Sequence, residues 1–310
     1  MRILICEFMD EAAVASLARH HDTVYDKDLV DRRDELKARL ADADALIVRN
    51  RTQVNAELLG AAPRLAVVGR LGVGLDNIDV ALCESRGIGV IPATGANALA
   101  VAEYVVGTAM ALLRGAYAST ADVAAGKWPR PALSNGREIA GKTLGVVGFG
   151  GIGRLTARLG RALGMRAMGC DAQVAADDPR WAEDGVEPRT LDALLAAADV
   201  LTLHVPLVPA TRNLIDASRL AAMKPGAILI NTARGGVVDE TALAAALRAG
   251  RLGGAALDVF EREPLPAGSP LAGCPNLILT PHIAGVTTES NERVSALIAE
   301  RVVQALASRH

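Results

Sequence analysis

At 310 residues, 51% hydrophobic, 22% charged and 3% aromatic, the chain is long enough for two ordinary domains with cores of Ala, Val, Leu and Ile rather than rings. A formal net charge of −2 leaves no global basic surface, which argues against nucleic acid and against a membrane surface as partners. Cys6, Cys83, Cys170 and Cys274 form no C-x-x-C pair and have no metal-like spacing with histidine, so they read as core residues of a reducing compartment and no metal is expected.

The chain opens with "MRILICEFMD", whose apolar run meets acid too early for a signal peptide or a spanning helix; a cytoplasmic protein is expected. Strand-like "RILIC" (2–6) precedes helical "EAAVASLARH" (11–20), "ALIVR" (45–49) precedes "NAELLGAA" (55–62), and "LAVVG" (65–69) precedes "IDVALCESRG" (78–87). Such alternation predicts βα units on a parallel sheet. "NALAVAEYVVGTAMALLRGAYASTADVAAG" (97–126) reads as the longest helical tract, apolar around most of its circumference and hence buried on several sides. A second series follows: "TLGVVG" (143–148), a helix to about 163, "RAMGCD" (166–171), "LDALLAAA" (191–198), "VLTLHV" (200–205), "AILINTA" (227–233), "ETALAAALRAG" (241–250), "GAALDVF" (254–260) and "NLILT" (276–280), with a last helix over 287–307. The expected fold class is α/β, as two Rossmann-like lobes with doubly wound parallel sheets.

Between strand and helix, Gly148, Gly150 and Gly153 stand in G-x-G-x-x-G spacing. The first glycine permits a tight turn, the second removes a side chain where backbone must approach a pyrophosphate, and the third lets helix pack on strand. The helix N-terminus then offers free N–H groups to phosphates. Asp171 closes the next strand, where an acid accepts hydrogen bonds from ribose hydroxyls and repels a 2′-phosphate. No cation follows it in "DAQV", so NAD is expected over NADP.

A dinucleotide site that moves a hydride needs a group that moves a proton. His20 and His21 lie on a polar helix end and His310 is terminal, which leaves His204 and His282. His282, in "LTPHIAG", follows a short strand at the edge where open α/β sheets bind ligands. Glu263, in "VFEREP", follows the preceding strand and is placed to fix its tautomer and favour its protonated form. Arg234, in "NTARGG", ends another strand; arginine binds a carboxylate bidentately and polarises a neighbouring carbonyl oxygen. Arg, Glu and His at successive sheet ends point to an oxyacid dehydrogenase.

Seven blocks carry a resemblance: "GRLGVGLDNID" (69–79), "NALAVAEY" (97–104), "GKTLGVVGFGGIGR" (141–154), "HVPLVPATRNLID" (204–216), "MKPGAILINTARGGVVDETAL" (223–243), "ALDVFEREP" (256–264) and "TPHIAG" (280–285). Nearly the whole chain resembles the D-isomer-specific 2-hydroxyacid dehydrogenases, in particular short phosphoglycerate-dehydrogenase-like members without a regulatory domain. The resemblance implies that the cofactor domain (97–285) is inserted into a substrate domain (1–96 with 286–310), that feedback by a regulatory domain is absent, and that the protein is a homodimer built through the NAD-binding domain. It implies that Arg234 holds the substrate carboxylate and C2 oxygen, that His282 exchanges the proton and that Glu263 supports it. By the same resemblance Gly72, Val73 and Gly74 bind the carboxylate through backbone, and Asn97 lines the pocket. Gly151, Ile152, Asp171, Val205, Pro206, Thr232, Ala233, Asp258 and Gly285 join the glycine loop around NAD, Asp258 through the carboxamide, and His204 becomes a wall or structural residue. Val73 and Ala98 depart from the hydroxyl-bearing residues that many relatives carry there.

The substrate question centres on Arg49, Arg51 and Arg70. Strand ends "LIVRNR" and "VVGR" belong to adjacent βα units, so Arg49 and Arg70 are expected to converge on a second anion of the substrate. The main reading is a 2-hydroxy acid, interconverted with its 2-keto acid, that resembles 3-phosphoglycerate. The alternatives are 3-sulfolactate dehydrogenation, glyoxylate or hydroxypyruvate reduction, and, from another class, an NAD-dependent corepressor. Phosphate and sulfonate compounds share one spatial hand, because a sulfonomethyl group outranks the carboxylate and changes the descriptor alone. Arg51 is left open between ligand and solvated charge.

Overall fold

The computed structural model describes residues 1–308, so His310 and the end of the expected 286–310 segment lie outside the described residues. Two compact units emerge, Met1–Asn97 with Val286–His310, and Ala98–Gly285, the second inserted into the first.

The first unit runs β1 (Arg2–Ile5), α1 (Glu11–Ala18), β2 (Asp22–Tyr25), α2 (Arg33–Leu40), β3 (Ala45–Val48), α3 (Ala56–Gly60), β4 (Val67–Arg70), α4 (Val80–Ser85) and β5 (Gly89–Pro92). All strands pair in parallel in the order β2-β1-β3-β4-β5. The central β3 is buried at every position, the pattern of a strand covered on both faces. Helices start where a short polar side chain accepts an otherwise unpartnered amide: Asp10 for α1, Asn55 for α3 and Asp79 for α4.

The second unit runs α5 (Ala98–Arg114), α6 (Thr120–Ala124), β6 (Thr143–Val147), α7 (Gly151–Ala162), β7 (Arg166–Cys170), α8 (Pro179–Asp184), β8 (Glu187–Pro188), α9 (Leu191–Ala197), β9 (Val200–Leu203), α10 (Ala217–Ala222), β10 (Ile228–Asn231), α11 (Glu240–Arg248), β11 (Gly254–Leu257) and β12 (Leu277–Leu279). Its parallel sheet has the order β12-β11-β10-β9-β6-β7-β8. The order reverses between β6 and β9, the switch point where open sheets bind ligands beyond their C-terminal strand ends. The chain then returns to the first unit as α12 (Thr288–Ala307), which starts with a reciprocal Thr287–Ser290 cap and packs on β4. The approach is close: a Cβ on Gly69 would stand 2.8 Å from both Ile298 Cγ2 and Val302 Cγ2. Both units are thus parallel α/β lobes of Rossmann type.

The 97–126 tract is not one helix. Gly115, at φ +65°, ends α5, and a turn at Tyr117–Ser119 leads into the five-residue α6. The two segments meet at 69°. Glycine adopts this left-handed conformation without the clash that a Cβ brings. Ala98, Ala100, Val101, Ala102, Val105, Ala109 and Leu113 of α5 are buried, whereas α6 buries none, so burial on several sides holds only for the first half. At 20 residues α12 is longer than the 17-residue α5. Among the described residues no single helix is long and apolar enough to cross a membrane.

Candidate active site

The glycine loop has closed and open positions. A Cβ on Gly148 would meet the His204 carbonyl oxygen at 2.4 Å, and one on Gly153 the Gly148 carbonyl oxygen at 2.1 Å, so backbone blocks both positions. At Gly150 and Gly151 a Cβ meets nothing within 4 Å. The space beside both is open. Gly150 is the N-cap of α7 and brings no side chain to its first amides, which leaves them for an anion. Asp171 follows β7 and accepts the Phe149 amide at 2.6 Å and the Gln173 amide at 2.8 Å. That pairing ties the acid after β7 to the glycine loop.

Beside the loop, the His204 amide donates to Val147 O (2.7 Å) and its Nε2 lies 3.0 Å from Thr202 Oγ1. Burial pulls the His204 imidazole down to about 4, so it is neutral at pH 7, as fits a wall rather than an acid. Thr232 Oγ1 is buried with no hydrogen-bond partner among the described residues. An orphaned hydroxyl past β10, the open space at Gly150 and the acid at Asp171 together fit a dinucleotide.

Arg234 sits on a turn stapled by Asn231, whose side chain accepts the Ala233 amide (3.0 Å) and donates to the Arg234 carbonyl (2.9 Å). A Cβ on Gly235 would lie 1.8 Å from the Phe260 carbonyl oxygen, so the turns after β10 and β11 press together and only glycine fits. On the second turn Glu263 Oε1 accepts the Phe260 amide (3.1 Å), while Oε2 lies 2.8 Å from His282 Nδ1. Both side chains stay partly open, at 37% and 44% exposure. Nδ1–H faces the carboxylate, so Nε2 carries the lone pair that exchanges a proton.

Asp258 is almost wholly buried and holds the histidine loop. Its Oδ1 accepts the Thr280 hydroxyl (2.6 Å) and the Ile283 amide (2.8 Å), its Oδ2 accepts the Ala284 amide (2.8 Å), and its carbonyl accepts the His282 amide (2.9 Å). Tyr104 Oη on α5 lies 2.6 Å from Thr280 Oγ1; burial pushes the phenol up. Tyr104 and Thr280 lie inside two of the quoted blocks, yet a separation of 176 positions hides their contact from a sequence reading.

In the first unit β3 and β4 pair Val48 with Arg70, so Arg49 and Arg70 stand at the same end of neighbouring strands. Arg49 donates to Asn291 Oδ1 (2.9 Å) and lies over the Phe8 ring, 5.6 Å from its centroid. Burial pulls its guanidinium below the ordinary value, opposed by the Glu7 carboxylate. Arg51 instead pairs through Nη1 and Nη2 with Asp31 on the surface, so the two arginines of "RNR" part company. One buried carboxylate, Glu7, sets this loop by accepting the amides of Arg49 (2.8 Å), Thr52 (3.0 Å) and Arg51 (3.1 Å). The signal that marked Asp171, an acid directly after a buried strand, was also present at Glu7.

Arg70 folds back over its own turn: Nη1 donates to Leu71 O (3.1 Å), and a Cβ on Gly72 would fall 1.4 Å from Nη1. The Gly72 amide and carbonyl are used, by Arg70 O and the Ala93 amide. The Val73 and Gly74 amides have no acceptor among the described residues. Asn97 Oδ1 is likewise buried without a partner among them.

Comparison with known proteins agrees with this chemistry. Residues 106–284 match the model of the D-isomer specific 2-hydroxyacid dehydrogenase, NAD binding domain. The chain is 57% identical over 307 residues to a (S)-sulfolactate dehydrogenase of Chromohalobacter salexigens, covering 99% of each chain. It is 42% identical to a D-3-phosphoglycerate dehydrogenase of Mycobacterium leprae, covering 98% of this chain and 57% of that relative, so it spans little more than half of that protein's length. A crystal structure of a protein from Thermus thermophilus superposes with a TM-score of 0.89 at 36% identity, covering 99% of this chain and 97% of that one. The chain therefore belongs to the D-isomer-specific 2-hydroxyacid dehydrogenase family and is an NAD-dependent oxidoreductase acting on a CH–OH group.

Proposed function

We propose that the protein is a sulfolactate dehydrogenase, oxidising (S)-3-sulfolactate to the 2-keto acid with NAD. The observation that carries the substrate is the 57% identity to a (S)-sulfolactate dehydrogenase along the whole length of both chains. It favours the sulfonate over the phosphoglycerate-like compound that headed the sequence-based expectations.

Each residue has a task in this reading. Arg234 binds the carboxylate and polarises the C2 oxygen, and the unengaged amides of Val73 and Gly74 add donors for the same carboxylate. His282 Nε2 takes the hydroxyl proton from the C2 oxygen while Nδ1–H remains on Glu263, which stabilises the imidazolium that results. When bound, NAD supplies the hydride acceptor for C2–H. Gly148, Gly150, Gly151, Ile152 and Gly153 hold its phosphates and Asp171 its ribose. Val205, Pro206, Thr232, Ala233, Asp258 and Gly285 line its nicotinamide side, and Asn97 lines the substrate pocket.

The sulfonate falls to Arg49 and Arg70. A half-buried guanidinium has already lost much of its hydration, so an anion gains more from it than from a surface charge such as Arg51. A cytoplasmic homodimer belongs to the same reading. The dimer draws support from Tyr117 and Trp128, 71% and 75% exposed on the segment that follows α5. Initial rates of NAD reduction with (S)-3-sulfolactate, D-3-phosphoglycerate, D-glycerate and D-lactate test the substrate. Sulfolactate is expected to give the highest kcat/KM; equal turnover of lactate would remove the case for a distal anion.

A further inference from the structure

His282 adopts φ +56°, a conformation that strains a residue with a Cβ and persists only where surroundings enforce it. Most of the enforcement comes from Asp258. The amides of His282, Ile283 and Ala284 all reach it, the first on its carbonyl (shared with the Thr280 carbonyl at 3.0 Å) and the next two on its carboxylate oxygens. A buried carboxylate that orients a loop must itself be oriented, and its remaining donor is the Thr280 hydroxyl at 2.6 Å.

The polarity of the chain beyond it follows from chemistry. Each carboxylate oxygen of Asp258 already accepts a backbone amide, so Thr280 spends its hydrogen on Asp258. The Thr280 oxygen can then only accept from Tyr104, 2.6 Å away, and the phenol is the donor. One directed series, Tyr104 O–H to Thr280 O–H to Asp258, braces the histidine turn against helix α5. We propose that Tyr104 and Thr280 are positioning residues for His282, acting through the Asp258 carboxylate. Neither needs to touch substrate or cofactor. Their contribution is to keep the Asp258 carboxylate aimed at the Ile283 and Ala284 amides, and so to keep the imidazole turned toward Glu263.

The inference rests on the reading that His282 exchanges the proton, so the test carries a control for that reading. Tyr104→Phe, Thr280→Val, Thr280→Ser and His282→Asn are compared with the parent enzyme on the 2-hydroxy acid it oxidises fastest. Single-turnover NADH formation, KM for the acid, affinity for NAD and Tm are measured. Loss of the last donor in Tyr104→Phe is expected to slow the single turnover about fivefold, and Thr280→Val by about tenfold or more, with both KM and NAD affinity within about twofold. Thr280→Ser keeps the hydroxyl and is expected to stay within about twofold of the parent rate. If His282→Asn is inactive while Tyr104→Phe and Thr280→Val turn over like the parent, the positioning role is wrong and the proton-transfer reading stands. If His282→Asn keeps parental turnover, the reading itself falls and takes the inference with it. Should Thr280→Val not fold, Tyr104→Phe decides; a rate loss that only follows a fall in Tm, and that Thr280→Ser does not restore, also overturns it.

Discussion

Oε2 of Glu263 lies 2.8 Å from Nδ1 of His282, while its other oxygen holds the Phe260 amide at 3.1 Å. The carboxylate is thereby fixed before it orients the imidazole. Glu263→Gln keeps the shape of the side chain but removes the charge that steadies the imidazole during proton exchange, and is expected to lower kcat/KM by about 10- to 100-fold. Initial rates at saturating NAD check it; a parental kcat/KM would separate Glu263 from the proton transfer.

The glycine loop separates folding from binding. Gly153→Ala places a Cβ against the Gly148 carbonyl and is expected to lower both Tm and NAD affinity, because backbone must shift. Gly150→Ala meets no protein atom within 4 Å. It is expected to leave Tm nearly unchanged while weakening NAD by about tenfold or more, since the methyl group enters the space that phosphate needs. Thermal melts and NAD titrations of the two variants, side by side, provide the check.

His204 links stability to pH. Its imidazole is held down to about 4 by burial, against about 6.5 in an unfolded chain. Between these values the unfolded state binds more protons than the folded one, so stability is fully present above about 6.5 and is lost as pH falls toward 4. His204→Gln is expected to flatten Tm between pH 4 and 7 relative to the parent. Identical slopes for the two proteins would remove His204 as the source.

Asp171 accepts two amides of its own chain, from Phe149 and Gln173, and is expected to serve the ribose with its remaining lone pairs. Asp171→Asn weakens that acceptor and abolishes the charge that repels a 2′-phosphate. The ratio of kcat/KM for NAD over NADP is expected to fall by about tenfold or more in the variant. An unchanged ratio would place cofactor selection elsewhere.

Much of this site could be read from the chain because the chemistry sits at strand ends, where apolar runs stop at single charged or glycine residues. Gly148 to Gly153, Asp171, Arg234, Glu263 and His282 all have that position. The edge strands β2 and β5 and the polar helix α2 escaped the same reading: the strands are only partly buried and α2 is mostly charged, so hydrophobic periodicity is weak there. The break at Gly115 was hidden inside an apolar tract. Partners distant in sequence were illegible for a different reason. Asp31 captures Arg51, Asn291 meets Arg49, and Tyr104 meets Thr280 only because the sheets bring them together.

The arginine pair carries the substrate claim. Arg49 is half-buried against Phe8 and Asn291, whereas Arg51 is exposed and engaged with Asp31. The decisive measurement is the ratio of kcat/KM for (S)-3-sulfolactate to kcat/KM for D-lactate, which lacks the sulfonate, in the parent, Arg49→Ala and Arg51→Ala enzymes. A charge-assisted contact of about 1.5–3 kcal/mol implies that the ratio falls by about 10- to 150-fold in Arg49→Ala. It should change by less than about twofold in Arg51→Ala, as expected of a surface pair. A parental ratio in Arg49→Ala, or a ratio near unity in the parent itself, would contradict the account.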